Sequence, residues 1–133
     1  MSTSIFAISG SALTAQSQRM NVAASNLANA NSVSDPNGEP FKAKSVHFQS
    51  LDRTDSGVGG VGVSGVEDAS TPMKKEYRPD HPMADDKGYV EMPNVNPTEQ
   101  MVNMMSASRS YEANLNVLNT SKDLALRTLS LGE

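Results

Sequence analysis

Apolar residues recur every seven positions through the first thirty residues of the chain, at Phe6, Leu13, Met20 and Leu27. Ala23, Ala24, Ala28 and Ala30 lie near the same stripe. This spacing predicts a helix from about Thr3 to Ala30 with a heptad-like seam, weakened where the second seam position is small or polar, as at Ser9 and Gln16. Roughly 28 helical residues would span about 42 Å. The Ser and Asn content lowers helix propensity. The segment is therefore expected to be largely disordered alone and to fold only when packed.

The pattern at the other end is better specified. Asn96 is a suitable N-cap, Pro97 takes the first helical position, and Glu99 follows three residues after the cap, as in a capping box. From there Met101, Met104, Ser108, Tyr111, Leu115, Leu118, Lys122, Ala125 and Leu129 follow three–four spacing. A second stripe of Val117, Ser121, Leu124, Thr128 and Leu131 lies beside it, and Gly132 marks the helix end. Two adjacent stripes predict contacts on more than one side. Lys122 interrupts the first stripe, and its charged head can reach outward along an apolar stem.

Between the helices the pattern shortens. Asp35-Pro36-Asn37-Gly38 is a strong turn signal. Val46 and Phe48, then Val61 and Val63, then Met73, Lys75 and Tyr77 alternate with their neighbours. Asp86-Lys87-Gly88 reads as a turn into Tyr89–Met92. The fold class is therefore mainly α with a small β region. Long N- and C-terminal helices pack as a coiled-coil-like pair (residues 1–34 and 97–133) around an irregular β-rich middle (35–96).

Charge sharpens this division. Arg19 is the only charged residue before Asp35, and 18 of the 26 charged residues lie between Asp35 and Glu91, so the middle is the solvated part. At 133 residues the chain is one domain's worth, yet aromatics are 5% and Trp is absent. Alanine and methionine supply much of the apolar surface, which suits close helix–helix approach and adaptable contacts. Each end is too long to bury itself, so the two need each other and neighbouring copies.

A net charge of −4 with no basic cluster beyond Lys74-Lys75 argues against nucleic acid as a partner. With no cysteine, disulfides and thiolate metal sites are excluded. No apolar run approaches the length of a membrane span, so membrane insertion is not expected. The N-terminus lacks the basic and hydrophobic regions of a cleavable signal peptide. The chain is expected to be cytoplasmic or to leave by a route that cleaves no signal.

Candidate chemistry is sparse. Gly57-Val58-Gly59-Gly60-Val61-Gly62 matches a dinucleotide fingerprint by letter, but a strand-like Val61–Val66 follows where a helix is required, so a flexible loop is expected. Asp80-His81 with Asp85 and Asp86 reads as a solvated acidic turn; neither His81 nor His47 has a helical partner at metal-ligand spacing. No serine sits in a nucleophile elbow, and only two histidines are available as a base. The sequon Asn119-Thr120-Ser121 falls mid-helix. No cofactor, metal site or enzymatic activity is expected. Asn26, Asn29 and Asn31 are poor helix formers, so their amides either fix the helix end to the middle region or a neighbouring subunit, or belong to a fraying, solvated end.

Ala24-Ser25-Asn26-Leu27-Ala28-Asn29-Ala30-Asn31 closely resembles the N-terminal signature of the bacterial flagellar axial proteins, the rod, hook and hook-associated families. Asn94-Val95-Asn96, then Glu99 and Met104, then Arg109-Ser110-Tyr111-Glu112-Ala113-Asn114 resemble the C-terminal signature. The two stand at opposite ends in the right order. Phe41-Lys42-Ala43-Lys44 through Phe48-Gln49, Gly88-Tyr89-Val90-Glu91-Met92-Pro93-Asn94-Val95-Asn96 and the short length look like the proximal-rod members. Ser32 departs from the signature's more usual Thr.

The resemblance implies a structural subunit of the flagellar basal-body rod, the drive shaft that transmits torque across the periplasm and peptidoglycan. The terminal helices would line an inner tube and the middle domain would lie outside. Expected partners are proximal and distal rod subunits, further copies of the chain, and the type III export apparatus, through which subunits leave without signal cleavage. The expected assembly interface comprises Phe6, Leu13, Met20, Leu27, Asn26 and Asn29 on the first helix. On the second it comprises Met101, Met104, Ser108, Tyr111, Leu115, Leu118, Ala125 and Leu129. The rival reading is a soluble helical adaptor or export chaperone that binds partner helices through the same stripes.

Overall fold

The structure is a computed structural model that describes residues 2–34, 38–51 and 59–132, with the side chains of 2 and 3 excepted. Asp35, Pro36 and Asn37 of the expected turn, and Gly57 and Val58 of the glycine-rich stretch, lie outside the described residues. The charge-poor first segment forms α1 (Ser2–Ala28), and the capped last segment forms α2 (Pro97–Leu131). Between them lie β1 (Lys44–Leu51), β2 (Gly60–Asp68), β3 (Lys74–Tyr77) and β4 (Tyr89–Met92). The expected class, two long terminal helices around a small β region, is the one found.

The start of α2 follows its sequence signal. The Asn96 side chain accepts hydrogen bonds from the Thr98 and Glu99 amides, at 3.1 and 3.4 Å, satisfying donors that have no partner within the helix. At the other end the Gly132 N–H bonds the Leu129 carbonyl with φ −91°, so this glycine closes the helix in the right-handed region.

The strands form two antiparallel pairs. β1 and β2 make a hairpin that shifts register between His47 and Phe48, where Ser64 is the extra residue. This bulge bends and twists the ribbon, and the Ser64 hydroxyl donates to the His47 carbonyl at 3.1 Å. The expected strand-like stretch Val61–Val66 lies in β2, which already begins at Gly60 of the glycine-rich stretch. The missing side chains have a use there: a Cβ on Gly60 would lie 2.7 Å from the Ser11 Oγ of α1. Glycine at this position lets the strand backbone approach the helix.

β3 and β4 pair from Lys74 opposite Met92 to Tyr77 opposite Tyr89. Their connection is a charged turn. Asp85 accepts from the Lys87 and Tyr89 amides, both at 2.9 Å. Gly88 has φ +86°, and a Cβ there would meet the Tyr77 ring at 2.9 Å. On β4 the alternation is plain: Val90 and Met92 are buried while Tyr89 and Glu91 are exposed.

The core is small and sits where the elements converge. Ala30, Ala43 and Val95 form its centre, with Phe41 and Ala69 against them. Small residues dominate, so the elements are positioned as much by hydrogen bonds as by apolar burial.

Candidate assembly interface

Two polar junctions set how the helices meet the strands. Asn26 is fully buried near the end of α1. Its Nδ2 donates to the Lys44 carbonyl at 2.8 Å and to Gln100 Oε1 at 3.0 Å, and its Oδ1 accepts from the Lys44 amide at 2.9 Å. One side chain thereby joins α1, the first residue of β1 and the first turn of α2. A buried amide is costly unless its hydrogen bonds are made, and here three are. Asn94 does the same before α2: its Oδ1 accepts from the Ala43 amide at 2.7 Å, and its Nδ2 donates to the Thr71 carbonyl at 2.8 Å. Arg19, the single charge of α1, reaches Asn103 on α2 at 3.3 Å. An open cleft of about 430 Å³ lies beside these contacts, between Arg19, Val22, Phe48 and Asn103.

The β1–β2 hairpin lies along α1. Its base is held by Asn26, and its far end by the Val61 amide, which donates to Ser11 Oγ at 3.1 Å. Fifteen residues of helix separate those two anchors, about 22 Å at 1.5 Å per residue. α1 therefore touches α2, β1 and β2, whereas among the secondary elements α2 touches α1 alone.

That asymmetry sorts the expected interface residues. Phe6, Leu13, Met20 and Leu27 on α1 are half-buried, as are Met104, Ser108, Tyr111, Leu118 and Ala125 on α2. Because α1 is the only element against α2, burial along α2 beyond its first turn marks the side that faces α1. Met101, Leu115 and Leu129 instead stand exposed, at 51%, 39% and 71%. Asn29 is half-buried, and its amide donates to the Ser25 carbonyl one turn back at 2.9 Å, a bond internal to the helix end.

The deepest positions are small or polar. Ser9, Ala15 and Ala23 on α1, Ala30 just past its end, and Gln100 and Ala107 on α2 are all buried. Ser9, Ala23 and Ala30 lie on or near the expected seam, whereas Ala15, Gln100 and Ala107 are not among the expected contacts. The signal was in the spacing: Ser9, Gln16, Ala23 and Ala30 lie seven apart, as do Gln100, Ala107, Asn114 and Ser121. Small residues every seventh position let two helices approach closely, because interaxial distance depends on the side chains at the contact.

Beyond its contact with α1, α2 leaves a broad surface uncovered, on which large apolar residues are interspersed with the exposed Arg109, Glu112, Asp123 and Arg127. Val102, Met105, Val117, Leu124, Leu126 and Leu131 join Met101, Leu115 and Leu129 there, all exposed. Two hydroxyls of α2 are turned back onto the helix: Ser121 donates to the Val117 carbonyl and Thr128 to the Leu124 carbonyl, each at 2.8 Å. This removes hydroxyl donors from the surface. An apolar hollow of about 450 Å³ opens between Ile5 at the start of α1 and Leu124, Ala125 and Leu129 near the end of α2. Nine large apolar residues of α2 thus stand exposed in the single chain.

A chain with two long helices at its ends, a solvated β region between them, and large apolar residues left exposed on one helix is built as an assembly subunit. Sequence comparison narrows this class. Residues 6–34 match the family described as flagella basal body rod protein, and residues 86–131 match the flagellar basal body rod FlgEFG protein C-terminal family. The chain is 58% identical to the flagellar basal-body rod protein FlgC of Escherichia coli O6:H1, over 97% of its length and 96% of that protein. It is 56% identical, with the same coverage, to FlgC of Salmonella typhimurium. With FlgC of Borreliella burgdorferi it shares 38% identity over 93% of each chain. The chain belongs to the FlgC family of flagellar basal-body rod proteins. Its role is that of a structural rod subunit and not of an enzyme.

Proposed function

We propose that the chain enters the rod through its terminal helices, with the outer face of α2 covered by neighbouring rod subunits. The observation that carries this reading is the run of nine exposed large apolar residues from Met101 to Leu131 on a helix whose one partner among the secondary elements is α1. Packed side by side, such helices form the inner tube (residues 1–34 and 97–133). The charged middle (35–96) stays outside, facing water. Torque then passes through many helix contacts, including contacts between copies of this chain. Proximal and distal rod subunits are the other neighbours.

Export by the flagellar type III apparatus without signal cleavage, and a final place in the rod across the periplasm, complete the reading. A first segment carrying one charge in 34 residues and rich in Ser and Asn supports a threaded, late-folding end. Among the described residues no helix is long and apolar enough to cross a membrane.

The test uses exposed positions, so that the fold is spared. Leu129→Asp and Leu115→Asp each place a carboxylate on the open face, where burial without a partner costs several kcal/mol. Each variant is expected to be made and to melt like the parent, yet to leave cells non-motile, without the subunit in purified basal bodies. Wild-type swimming by both variants would remove this face from the interface.

A further inference from the structure

The open face of α2 begins with sulfur. Met101 and Met105 lie one helical turn apart with Val102 between them, and all three are exposed, at 51%, 57% and 59%. Met104, on the side toward α1, is half-buried, and Met92 in β4 is 7% exposed. Met83, in the charged turn between β3 and β4, is 37% exposed. The free subunit therefore offers solvent two thioethers on the surface that assembly is proposed to bury.

We propose that Met101 and Met105 are a reversible oxidation site that controls entry of the subunit into the rod. The oxidant is a peroxide. A sulfur lone pair attacks one peroxide oxygen, the S–O bond forms as the O–O bond breaks, and the departing oxygen leaves as water once protonated. The sulfur is oxidised by two electrons and the peroxide is reduced. A dithiol reductant reverses the step, returning the thioether with release of water and formation of a disulfide in the reductant. Sulfoxide formation turns a flexible apolar side chain into a polar one. Two sulfoxides on one turn place strong acceptors where the neighbour presents apolar surface. The oxidised subunit is then excluded until reduced, whereas an assembled subunit has its sulfurs covered. This inference rests on the reading of the α2 outer face as an assembly surface.

Two measurements test it. The purified chain is treated with hydrogen peroxide, quenched with catalase and mapped by peptide mass spectrometry. Met101 and Met105 are expected to gain oxygen at least about tenfold faster than Met92, following exposure. Equal rates overturn the proposal. Next, cells relying on this chain receive a peroxide pulse before rod assembly is induced. The sulfoxide fraction at each methionine is then compared between the unassembled pool and isolated basal bodies. Sulfoxide at Met101 and Met105 is expected to be depleted at least about fivefold in the rods, while Met83 sulfoxide passes into both pools alike. Equal passage of the Met101 and Met105 sulfoxides overturns the proposal. Met105→Asp separates the two layers. Its normal incorporation removes this turn from the interface and the oxidation site with it. Its exclusion, together with free passage of the sulfoxides, leaves the interface standing and overturns the oxidation site alone.

Discussion

The two helices differ in charge, with one charged residue on α1 and six on α2, and they differ in surroundings. α1 contacts both α2 and the β1–β2 hairpin, and its exposed large apolar residues are confined to Ile5 and Ile8 near its start. α2 is packed only against α1 and leaves nine large apolar residues exposed along its length, Met101 through Leu131. Within one chain, then, the first helix has cover from both the second helix and the hairpin, whereas the second keeps many large apolar residues exposed. The segment with the weaker intrinsic propensity receives the internal cover. This is the arrangement expected if propensity is overridden by tertiary packing. The stronger helix former, with its cap and proline, can hold its shape while presenting an open face.

Removing the hairpin's anchor would break that difference most directly. Asn26→Leu keeps the side-chain volume but deletes three hydrogen bonds, leaving the Lys44 N–H and carbonyl and the Gln100 side-chain oxygen without their Asn26 partner. At about 1–3 kcal/mol for each buried group left unsatisfied, the expected loss is roughly 3 kcal/mol or more. Chemical denaturation should show this drop in stability, and hydrogen exchange should rise along α1 and β1 more than along the outer half of α2. Unchanged exchange in α1 would mean that the hairpin does not hold that helix.

How much of this was legible in the residues follows from what each signal depends on. The helices, the Asn96 cap and the alternation of β4 are local, and their patterns survive any packing. The burial of Asn26 is set by partners 18 and 74 residues away, and composition alone left it either a junction or a fraying end. The deep seam was harder still, because its residues are small: Ala107 is fully buried, and nothing in its size announces it. The hairpin's position on α1 was invisible for the same reason. Gly60 read as part of a loop, whereas the absent side chain is what admits Ser11.

That close approach gives an intermediate test of the cover over α1. Gly60→Ala would put a Cβ 2.7 Å from Ser11 Oγ, and the serine is also the acceptor for the Val61 amide. The strand must lift from the helix, at an expected cost of about 1–2 kcal/mol, in the range for overpacking. Ser11→Ala removes the clashing oxygen along with the hydrogen bond, so the double variant should be less destabilised than the sum of the two single variants. A thermodynamic cycle from denaturant melts measures this coupling. Simple additivity would show that Gly60 and Ser11 do not meet.

The smallest effect belongs to the strand pair that covers neither helix. Asp85 accepts from the Tyr89 and Lys87 amides at the β3–β4 turn. The Tyr89 bond above all holds its carboxyl below the usual 3.8; desolvation opposes this as the next-largest effect, and the Lys87 amide and the Lys75 and Lys87 charges add to the lowering. The charged form is therefore the one that the fold favours. Its contribution is fully present above the unfolded value of about 3.9 and is lost as pH falls through the lowered folded value. Below about pH 4, amide exchange at Lys87 and Tyr89 should rise as the turn loosens. Asp85→Asn should abolish that pH step by removing the charge. Helix content and the protection of α1 should follow the same acid profile in both forms, because neither helix is among the elements in contact with β3 and β4. If α1 lost protection in step with Asp85 titration, the cover of the first helix would extend to the second strand pair, and the contrast between the two helices would need to be redrawn.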